Sequence, residues 1–473
     1  MLQIYCHPRA KISSLPLVVG AFNDEAIKVD SHLDSDIDNL RKKGYLSTDL
    51  GAVNKIYTFG KIPNEIIYVI GLGKRSEYNR KNIITGCQKI NFELGEELLI
   101  DLPSLSGNIS EKEAVGIIVE TLVYNNYRFD QYLKEKSEKE LKVGIIADED
   151  LSALIKEALI IGVAVNNTRD LVNQPYNHMT AEDLAGYAQE LVANLNNSDL
   201  SIEVYEKEEI ERMGMNAFLA VNQGSTAGPK LLHIKYQPVS GPFVGLIGKG
   251  LMYDTGGYSL KSSMNTMKSD MAGAATVLGV LETVVKNALP INIQVIICAT
   301  DNRINGHALL PDDIITAMNG KTIEILSTDA EGRLTLADAL CFAQKYKCKK
   351  LIDIATLTGA VVVALGEDVT GLFGNDEKEI QAMIAASQES LEELWPMPIN
   401  DAIRKKVRSS KVADLKNSTG RNMGASSAAA FLEEFVEEGI KWLHLDIAGT
   451  AYHDAGATGA VLRTIYRYLK SPY

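Results

Sequence analysis

The chain has few cysteines, and none are arranged in the way typical of a metal or redox site. Five occur among 473 residues, and no two of them stand in a C-x-x-C spacing. They are scattered, odd in number and mostly in apolar surroundings, which indicates reduced thiols in the core. This pattern argues against a disulfide framework and predicts a cytoplasmic protein.

Long apolar runs are also missing from the sequence, and its first residues do not predict a secretory leader. The longest apolar runs, such as residues 158–165, are far shorter than the roughly 20 residues that a membrane-spanning helix needs. Residues 1–5 lack the basic and apolar regions of a signal peptide. We therefore expect no membrane partner.

Basic charge is scarce relative to acidic charge. The chain has 48 Lys and Arg residues against 61 Asp and Glu residues, which gives a net charge of −13. A surface of this sign disfavours phosphate backbones, so nucleic acid is not an expected partner.

The length of the chain exceeds what one ordinary hydrophobic core accommodates, and it predicts at least two domains.

The pattern of apolar residues predicts an α/β fold with two domains. Residues 1–148 mix strand-like and helix-like runs, which indicates a smaller N-terminal α/β domain. Apolar residues at helical spacing predict a linker helix at 149–172. In residues 173–473 helices and strands alternate, which predicts a larger domain with a mostly parallel sheet flanked by helices.

Two acid-rich blocks stand out in the larger domain. In one, Asp329 and Glu331 follow the strand-like run 322–326, and their side chains point the same way if 329–331 is extended. The other begins after the strand-like run 244–247 and contains Lys249, Asp254, Lys261 and Asp270. Ligands of such sheets gather at the carboxyl ends of strands, so we expect the two blocks to meet there.

The charges in these blocks favour metal binding. Four carboxylates in one dry cleft repel one another, and two divalent cations about 3.5–4 Å apart balance them, as in many hydrolases. No histidine lies near either block, and oxygen ligands favour magnesium, manganese or zinc over copper or a thiolate site. A lysine beside two dications is pushed toward its neutral form and can then be a ligand.

Each feature taken alone also has a purely structural interpretation. The Asp329 and Glu331 pair is more often a solvated turn, Asp270 can be a helix N-terminal acid, and Lys261 can be a surface lysine. Residues 248–250 (Gly-Lys-Gly) fail as a phosphate loop, because Phe243 and Gly250 occupy the positions of its first glycine and its hydroxyl residue. None of these interpretations explains the clustering in two blocks.

The blocks lie within longer stretches that resemble the leucine (cytosol) aminopeptidase family. The run 328–334, Thr-Asp-Ala-Glu-Gly-Arg-Leu, is similar to the family signature, and further motifs match in family order at 169–173, 247–261, 269–276, 353–360 and 444–451. The resemblance covers about residue 160 to the C-terminus. Several features look closer to the peptidase B branch, and the first 148 residues match only in length and general α/β character.

The resemblance implies a metal-dependent aminopeptidase that removes the N-terminal amino acid from unblocked peptides. It implies two divalent metal ions per subunit, zinc or manganese first and magnesium or cobalt next, with a metal-bridged water that attacks the peptide carbonyl. It further implies a bicarbonate ion as general base and a homohexamer. Residues 173–473 would be the catalytic domain, and 1–148 would be non-catalytic.

The resemblance also assigns roles by motif position. The implied ligands of one metal are Lys249, Asp254, Asp270 and Glu331, and those of the other metal are Asp254, Asp329 and Glu331. Lys261 would stabilise the oxyanion, and Arg333 would hold the bicarbonate. The pocket for the first side chain would be lined by Met267, Thr356, Gly359 and Ala448.

Some positions depart from the family pattern, and two other functions stay open. Ser327 replaces a usual asparagine, and the stretches 261–270 and 452–456 look short, which bears on substrate choice and subunit contacts. The alternatives are a regulatory or DNA-binding relative that keeps the scaffold, and a two-metal phosphoesterase. The intact Lys261 and Arg333 argue against a dead enzyme, and the net charge argues against DNA binding as the main role.

Overall fold

A computed structural model of the chain describes residues 2–9, 13–91, 94–136 and 140–471. These residues form two compact units, Met1–Asn166 and Asn167–Tyr473. One helix, Ser152–Asn173, contains the point at which the units divide. The domain limits expected at 148 and 172 stay predictions.

The first unit contains a six-stranded sheet. Its strands are β1 Leu2–Pro8, β2 Leu17–Ala21, β3 Val53–Tyr57, β4 Ile66–Gly71, β5 Glu97–Asp101 and β6 Leu141–Ala147. Its helices are α1 Asp34–Lys42, α2 Arg80–Cys87, α3 Leu102–Ser106 and α4 Glu111–Asn125. Helix α5, Ser152–Asn173, begins in this unit and ends in the second. The strand order is β1-β6-β5-β2-β4-β3, and β3 is antiparallel to β4 whereas the other neighbours are parallel.

Local sequence explains these elements. Strand β4 is a continuous apolar run whose Ile67, Val69 and Ile70 are fully buried, as expected for a strand covered on both faces. Helix α4 begins at Ser110, whose hydroxyl accepts a hydrogen bond from the Glu113 backbone N–H. Ile67 and Val69 of β4 share a buried apolar cluster with Val19 of β2 and Ile37 of α1.

The second unit is built on an eight-stranded sheet with smaller sheets beside it. Its strands are β7 Leu200–Tyr205, β8 Lys230–Tyr236, β9 Phe243–Asp254, β10 Ile293–Asn302, β11 Ile314–Thr316, β12 Thr322–Glu324, β13 Cys348–Ala355, β14 Val369–Gly374, β15 Glu393–Pro396, β16 Leu415–Lys416, β17 Lys441–Asp446, β18 Tyr452–His453 and β19 Gly456–Ala457. The main order is β15-β14-β17-β13-β9-β10-β8-β7, with the four central strands parallel.

Helices cover this sheet. They are α6 Ala181–Leu195, α7 Lys207–Arg212, α8 Asn216–Asn222, α9 Ala272–Lys286, α10 Gly332–Gln344, α11 Gly359–Leu365, α12 Glu377–Ser390, α13 Asp401–Val407, α14 Gly424–Glu433 and α15 Leu462–Lys470. Every residue of β10 is buried. The predicted fold class is confirmed: the chain is a two-domain α/β protein with parallel sheets.

Among the described residues, no helix combines the length and apolar character that a membrane-spanning segment requires.

The prediction that β9 ends at Ile247 was wrong, because the strand continues to Asp254. Gly248 and Gly250 interrupt the apolar run but serve packing. A Cβ on Gly248 would lie 2.6 Å from the Ala274 Cα of α9, and one on Gly250 would lie 2.9 Å from a methyl group of Ile297. These glycines let neighbouring elements approach the strand, so Lys249 lies inside β9 and not in a loop after it.

The expectation that the acid-rich block of Asp329 and Glu331 follows a strand of the main sheet was also wrong. Strand β12 is outside the main sheet and pairs with β11 and β16 in a separate three-stranded sheet. Residues 329–331 are not extended either: Asp329 lies in a turn, and Glu331 has helical dihedral angles of φ −78° and ψ −38° at the start of α10. Side-chain alternation along a strand therefore does not explain the approach of these two acids.

We predict that Gly273→Ala destabilises the second unit. A Cβ on Gly273, in the first turn of α9, would lie 2.0 Å from the Ile354 carbonyl oxygen and 2.8 Å from the Lys249 backbone nitrogen. Because the close atoms belong to the backbone, α9 must move, at a cost of about 1–3 kcal/mol. Thermal unfolding at several scan rates checks this.

The matched control is Gly186→Ala in α6, where an added Cβ has no atom within 4 Å. Alanine there gains helix propensity of about 1 kcal/mol at most, so the unfolding temperature stays level or rises. Equal destabilisation by the two variants would contradict the packing argument.

Candidate functional site

The site is centred on a buried lysine of β9. The Lys249 side chain is 3% exposed, and its Nζ lies 2.7 Å from Asp270 Oδ1 and 3.1 Å from Glu331 Oε1. The same Nζ donates a hydrogen bond of 2.8 Å to the Thr356 carbonyl. Strand β9, the turn before α9, the start of α10 and the end of β13 therefore converge on one ammonium group.

A second lysine joins the remaining acids. The Lys261 Nζ lies 2.7 Å from Asp254 Oδ2 and 2.5 Å from Asp329 Oδ1. Carboxylate oxygens of Asp254, Asp270 and Glu331 all lie within 4.8 Å of one another, a spacing at which three acids can hold a metal ion. The structure thus brings together all the expected metal ligands and Lys261.

Two buried carboxylate oxygens in this cluster lack partners. Asp270 Oδ2 and Glu331 Oε2 have no hydrogen bond within the part of the chain that the structure describes. A buried charged oxygen without a partner is costly, and a cation satisfies it directly. The oxygen-rich donor set with one lysine therefore fits a divalent metal ion.

Crowding and burial raise the pKa of several acids. Burial raises the pKa of Asp270 to about 8, and burial together with Glu331 and Asp254 raises the pKa of Asp329 to about 6. Asp254 also has a raised pKa, first from burial and then from Glu331. These acids need a nearby cation to be ionised together at neutral pH.

Burial by itself lowers the pKa of Lys249, but attraction by Asp270, Glu331 and Asp254 outweighs it and the pKa is raised. At Glu331 burial raises the pKa, and the attraction of the lysines lowers it to a net value below normal. The neutral form of Lys249 that we expect beside two dications stays a prediction.

Two glycines permit this crowding. A Cβ on Gly332 would lie 2.3 Å from Cε of Lys249, so only glycine leaves room for the lysine to reach Glu331. Gly256 has φ +85°, and a Cβ there would lie 2.8 Å from Asp329 Oδ1. Steric contacts therefore explain why glycine occupies position 332 in one acid-rich block and position 256 in the other.

Two asparagines that were not predicted from the sequence hold the acids. Asn302, at the end of β10, donates from Nδ2 to Asp254 Oδ1 at 2.9 Å and to the Thr328 carbonyl at 3.0 Å. The sequence could have indicated Asn302 as a site residue, because it stands at the carboxyl end of a central strand. Asn417 is fully buried and follows β16, far along the chain, where nothing in the sequence indicated it.

Asn417 fixes the turn before Glu331. Its Oδ1 accepts from the backbone N–H of Leu326 at 2.8 Å, and its Nδ2 donates to the Ser327 carbonyl at 2.6 Å. The Ser327 hydroxyl in turn accepts from the Asp329 backbone N–H at 3.3 Å. Ser327 is therefore part of the turn that places Asp329.

Arg333 lies beside a cavity of about 700 Å³ that Asp329 also lines. Its Nη1 donates to the Asn417 carbonyl at 2.7 Å, while its Nε is buried and has no partner among the described residues. Burial lowers the pKa of Arg333 to about 10, so the guanidinium stays charged at neutral pH. It can bind an anion.

The four expected pocket residues lie in different places. Thr356 joins the metal cluster, because its hydroxyl donates to Asp270 Oδ1 at 2.7 Å, and Gly359 lines the cavity beside Arg333. Met267 precedes Asp270 in a short 3₁₀ helix, and the Ala448 backbone N–H donates to Asp446. Neither Met267 nor Ala448 is among the described residues that line the cavity.

Comparison with known proteins identifies the family. Residues 166–466 match the catalytic domain of the cytosol aminopeptidase family, and residues 18–136 match its N-terminal domain. The chain belongs to the cytosol aminopeptidase family. It is 40% identical over 476 residues to a probable cytosol aminopeptidase of Bacillus subtilis, covering 95% of this chain and 94% of the relative. A probable cytosol aminopeptidase of Bacillus licheniformis is 38% identical, with 96% of each chain covered.

Solved structures agree with this assignment. The bottromycin maturation enzyme BotP in complex with Mn has a TM-score of 0.87 and 29% identity, covering 97% of this chain and 99% of that one. A mutant of tomato leucine aminopeptidase has a TM-score of 0.89 and 29% identity, covering 99% and 96%. As a member of the cytosol aminopeptidase family, the chain is a metal-dependent aminopeptidase that acts on peptides.

We predict that Asn417→Ala weakens metal binding. The change removes the hydrogen bonds that hold Leu326 and Ser327, and residues that orient metal ligands typically contribute about 10- to 100-fold in metal affinity. Leaving backbone groups unpaired also lowers the free energy of unfolding by about 1–3 kcal/mol. Metal retained after dialysis against a chelator series measures the first effect.

The control is Asn319→Ala, an exposed asparagine in the turn between β11 and β12. It removes the same side chain near the same small sheet and leaves metal retention unchanged. If Asn417→Ala lost stability but kept its metal, the turn would not depend on this residue for ligand placement.

Proposed function

We propose that this enzyme releases the N-terminal amino acid from unblocked peptides with two divalent metal ions. The ligands would be Lys249, Asp254, Asp270, Asp329 and Glu331. The observation that carries the proposal is the convergence of Asp254, Asp270 and Glu331 in a buried cluster with two unpartnered carboxylate oxygens. When bound, the metal ions supply the charge that activates a water molecule and polarises the scissile carbonyl.

The arrangement of the acids supports a division between two metal positions. Lys249 and Asp270 lie on the side of the cluster nearest Thr356, whereas Asp329 lies on the side of Lys261. Asp254 contacts Lys261, Glu331 contacts Lys249, and their carboxylates lie within 4.8 Å of each other, so both are proposed to be shared. Manganese in the BotP complex supports a divalent ion here, with zinc, magnesium and cobalt as the other candidates.

Lys261 is proposed to stabilise the oxyanion that forms on the peptide carbonyl. Its side chain is 21% exposed, against 3% for Lys249, so its ammonium group lies on the open side of the cluster. Burial lowers the pKa of Lys261, but Asp254 and Glu331 raise it to a net value above normal. It therefore stays a cation, as stabilisation of a developing negative charge requires.

Arg333 is proposed to hold a bicarbonate ion that acts as general base. The unpartnered Nε beside the cavity supports an anion at this position. Met267, Thr356, Gly359 and Ala448 are proposed to contact the first side chain of the peptide. The cytoplasmic location, predicted from the scattered cysteines, and the homohexamer, implied by the family resemblance, stay predictions, as does the closer likeness to peptidase B.

The test is release of the first residue from matched peptides. Because the free amine is expected at the metal site, leucylglycylglycine should be cleaved and its N-acetyl form should not. Dialysis against a chelator should abolish release, and manganese or zinc should restore it. Equal cleavage of the acetylated peptide, or full activity after verified metal removal, would overturn the proposal.

Two substitutions separate metal binding from catalysis. Glu331→Gln should lower the bound metal at both positions, since this carboxylate is proposed to be shared. Lys261→Ala should keep the metal but lower kcat by about 100- to 1000-fold, the usual effect of losing one oxyanion donor. Metal analysis and kinetics on the same preparations measure both effects.

Lys411→Ala, which removes an exposed lysine, is the control and should change neither quantity. Loss of metal in the Lys261 variant would show that this lysine holds the acids in place and does not act on the oxyanion.

A further inference from the structure

The cavity beside the metal cluster is lined by charged side chains near the cluster and mostly by small or apolar residues elsewhere. Asp329 and Arg333 contribute to it from the cluster side, and two chain segments, 357–364 and 420–426, contribute most of the remainder. Most of these residues are small or apolar, such as Leu357, Val363 and Met423. Such walls suit an uncharged part of a peptide.

One cation in this lining is free. Arg421 is exposed, and within the described residues its guanidinium has no hydrogen-bond or ion-pair partner. Asp329 is the one acid among the described residues that line the cavity, and it is paired with Lys261. The Arg421 guanidinium is therefore available to a negatively charged group that enters the cavity.

The loop that carries Arg421 is fastened on both sides. Before it, the Asn417 side chain binds the turn at Ser327, and the Asn417 carbonyl accepts from Arg333. In addition, the Thr419 hydroxyl, before Arg421, donates to the hydroxyl of Ser427, after it in α14, at 2.8 Å. Arg421 is thus held on a loop that is tied directly to the acid-rich block.

We propose that Arg421 binds a carboxylate on the leaving part of the peptide, namely the C-terminal carboxylate of a dipeptide or tripeptide. The inference rests on the proposed function. With the first residue at the metal cluster, the remaining chain, which extends by about 3.3–3.6 Å per residue, can enter the cavity that Asp329 and Arg421 both line. A guanidinium matches the two oxygens of a carboxylate, and the apolar walls accommodate the second side chain.

The proposal makes Arg421 a specificity-determining residue. Short peptides with a free C-terminus would be preferred over their amides, because the amide offers no negative charge to the guanidinium. An acidic side chain at the second or third position offers the same chemistry from another source. Sodium chloride weakens either contact, because Arg421 is exposed and screened.

The experiment compares kcat/KM for leucylglycine and leucylglycine amide in the wild-type enzyme and in Arg421→Ala. A charge-assisted hydrogen bond corresponds to roughly a tenfold preference for the free acid, expressed mainly in KM. Arg421→Ala should bring the ratio of acid to amide close to one, and Lys411→Ala should leave it unchanged. Raising the salt concentration should reduce the wild-type ratio but not that of Arg421→Ala.

Two further amides distinguish the sources of the carboxylate. If Arg421 binds only a terminal carboxylate, leucylglutamate amide and leucylglutamine amide are cleaved equally. If it also binds a side-chain carboxylate, the glutamate form is favoured and Arg421→Ala removes the difference. Equal cleavage of these two amides supports a terminal-carboxylate site only together with the preference for leucylglycine over its amide, and without that preference it contradicts carboxylate binding.

The failures are separable. If the wild-type enzyme cleaves the acid and the amide equally, or if Arg421→Ala lowers both rates in the same proportion, Arg421 does not bind the substrate carboxylate and the proposed function stands. If no unblocked peptide is cleaved by the metal-loaded wild-type enzyme, the proposed function itself fails.

Discussion

Repulsion among four carboxylates in a mostly buried site is the constraint on which the rest of the structure depends. Lys249 and Lys261 each contact two of these acids, so the protein itself balances part of the negative charge. The remainder favours divalent cations. A protonated lysine has no lone pair to offer, so metal ligation by Lys249 and retention of its proton oppose each other.

The sequence predicted the main sheet where apolar residues predominate and no glycine interrupts them. Strands β10 and β13 are of this kind, although Gln294 and Asp353 lie within them, and alternation with helices indicated a parallel arrangement. The prediction failed in β9 because Gly248 and Gly250 look like loop residues when their neighbours are unknown. The atoms that exclude a side chain there belong to α9 and β10, which only the fold brings close.

The charged part of the site was predictable for a different reason. Asp254, Asp270 and Glu331 are acids within apolar or small-residue stretches, where an unpaired charge is costly and therefore conspicuous. Asn302 and Asn417 are neutral and common in turns, so their sequence context did not single them out. The cavity lining was equally hidden, because it is assembled from loops after strands that are distant in the sequence.

Asn417 connects the two halves of the site. Its side chain holds the turn that precedes Glu331, and its backbone carbonyl accepts a hydrogen bond from Arg333. Asn417 also stands at the start of the loop that leads to Arg421. A change within residues 418–423 can therefore reshape the cavity while the metal ligands stay in place. A change at Asn417 moves both, so substrate choice is free to vary in this loop only while this one buried amide is kept.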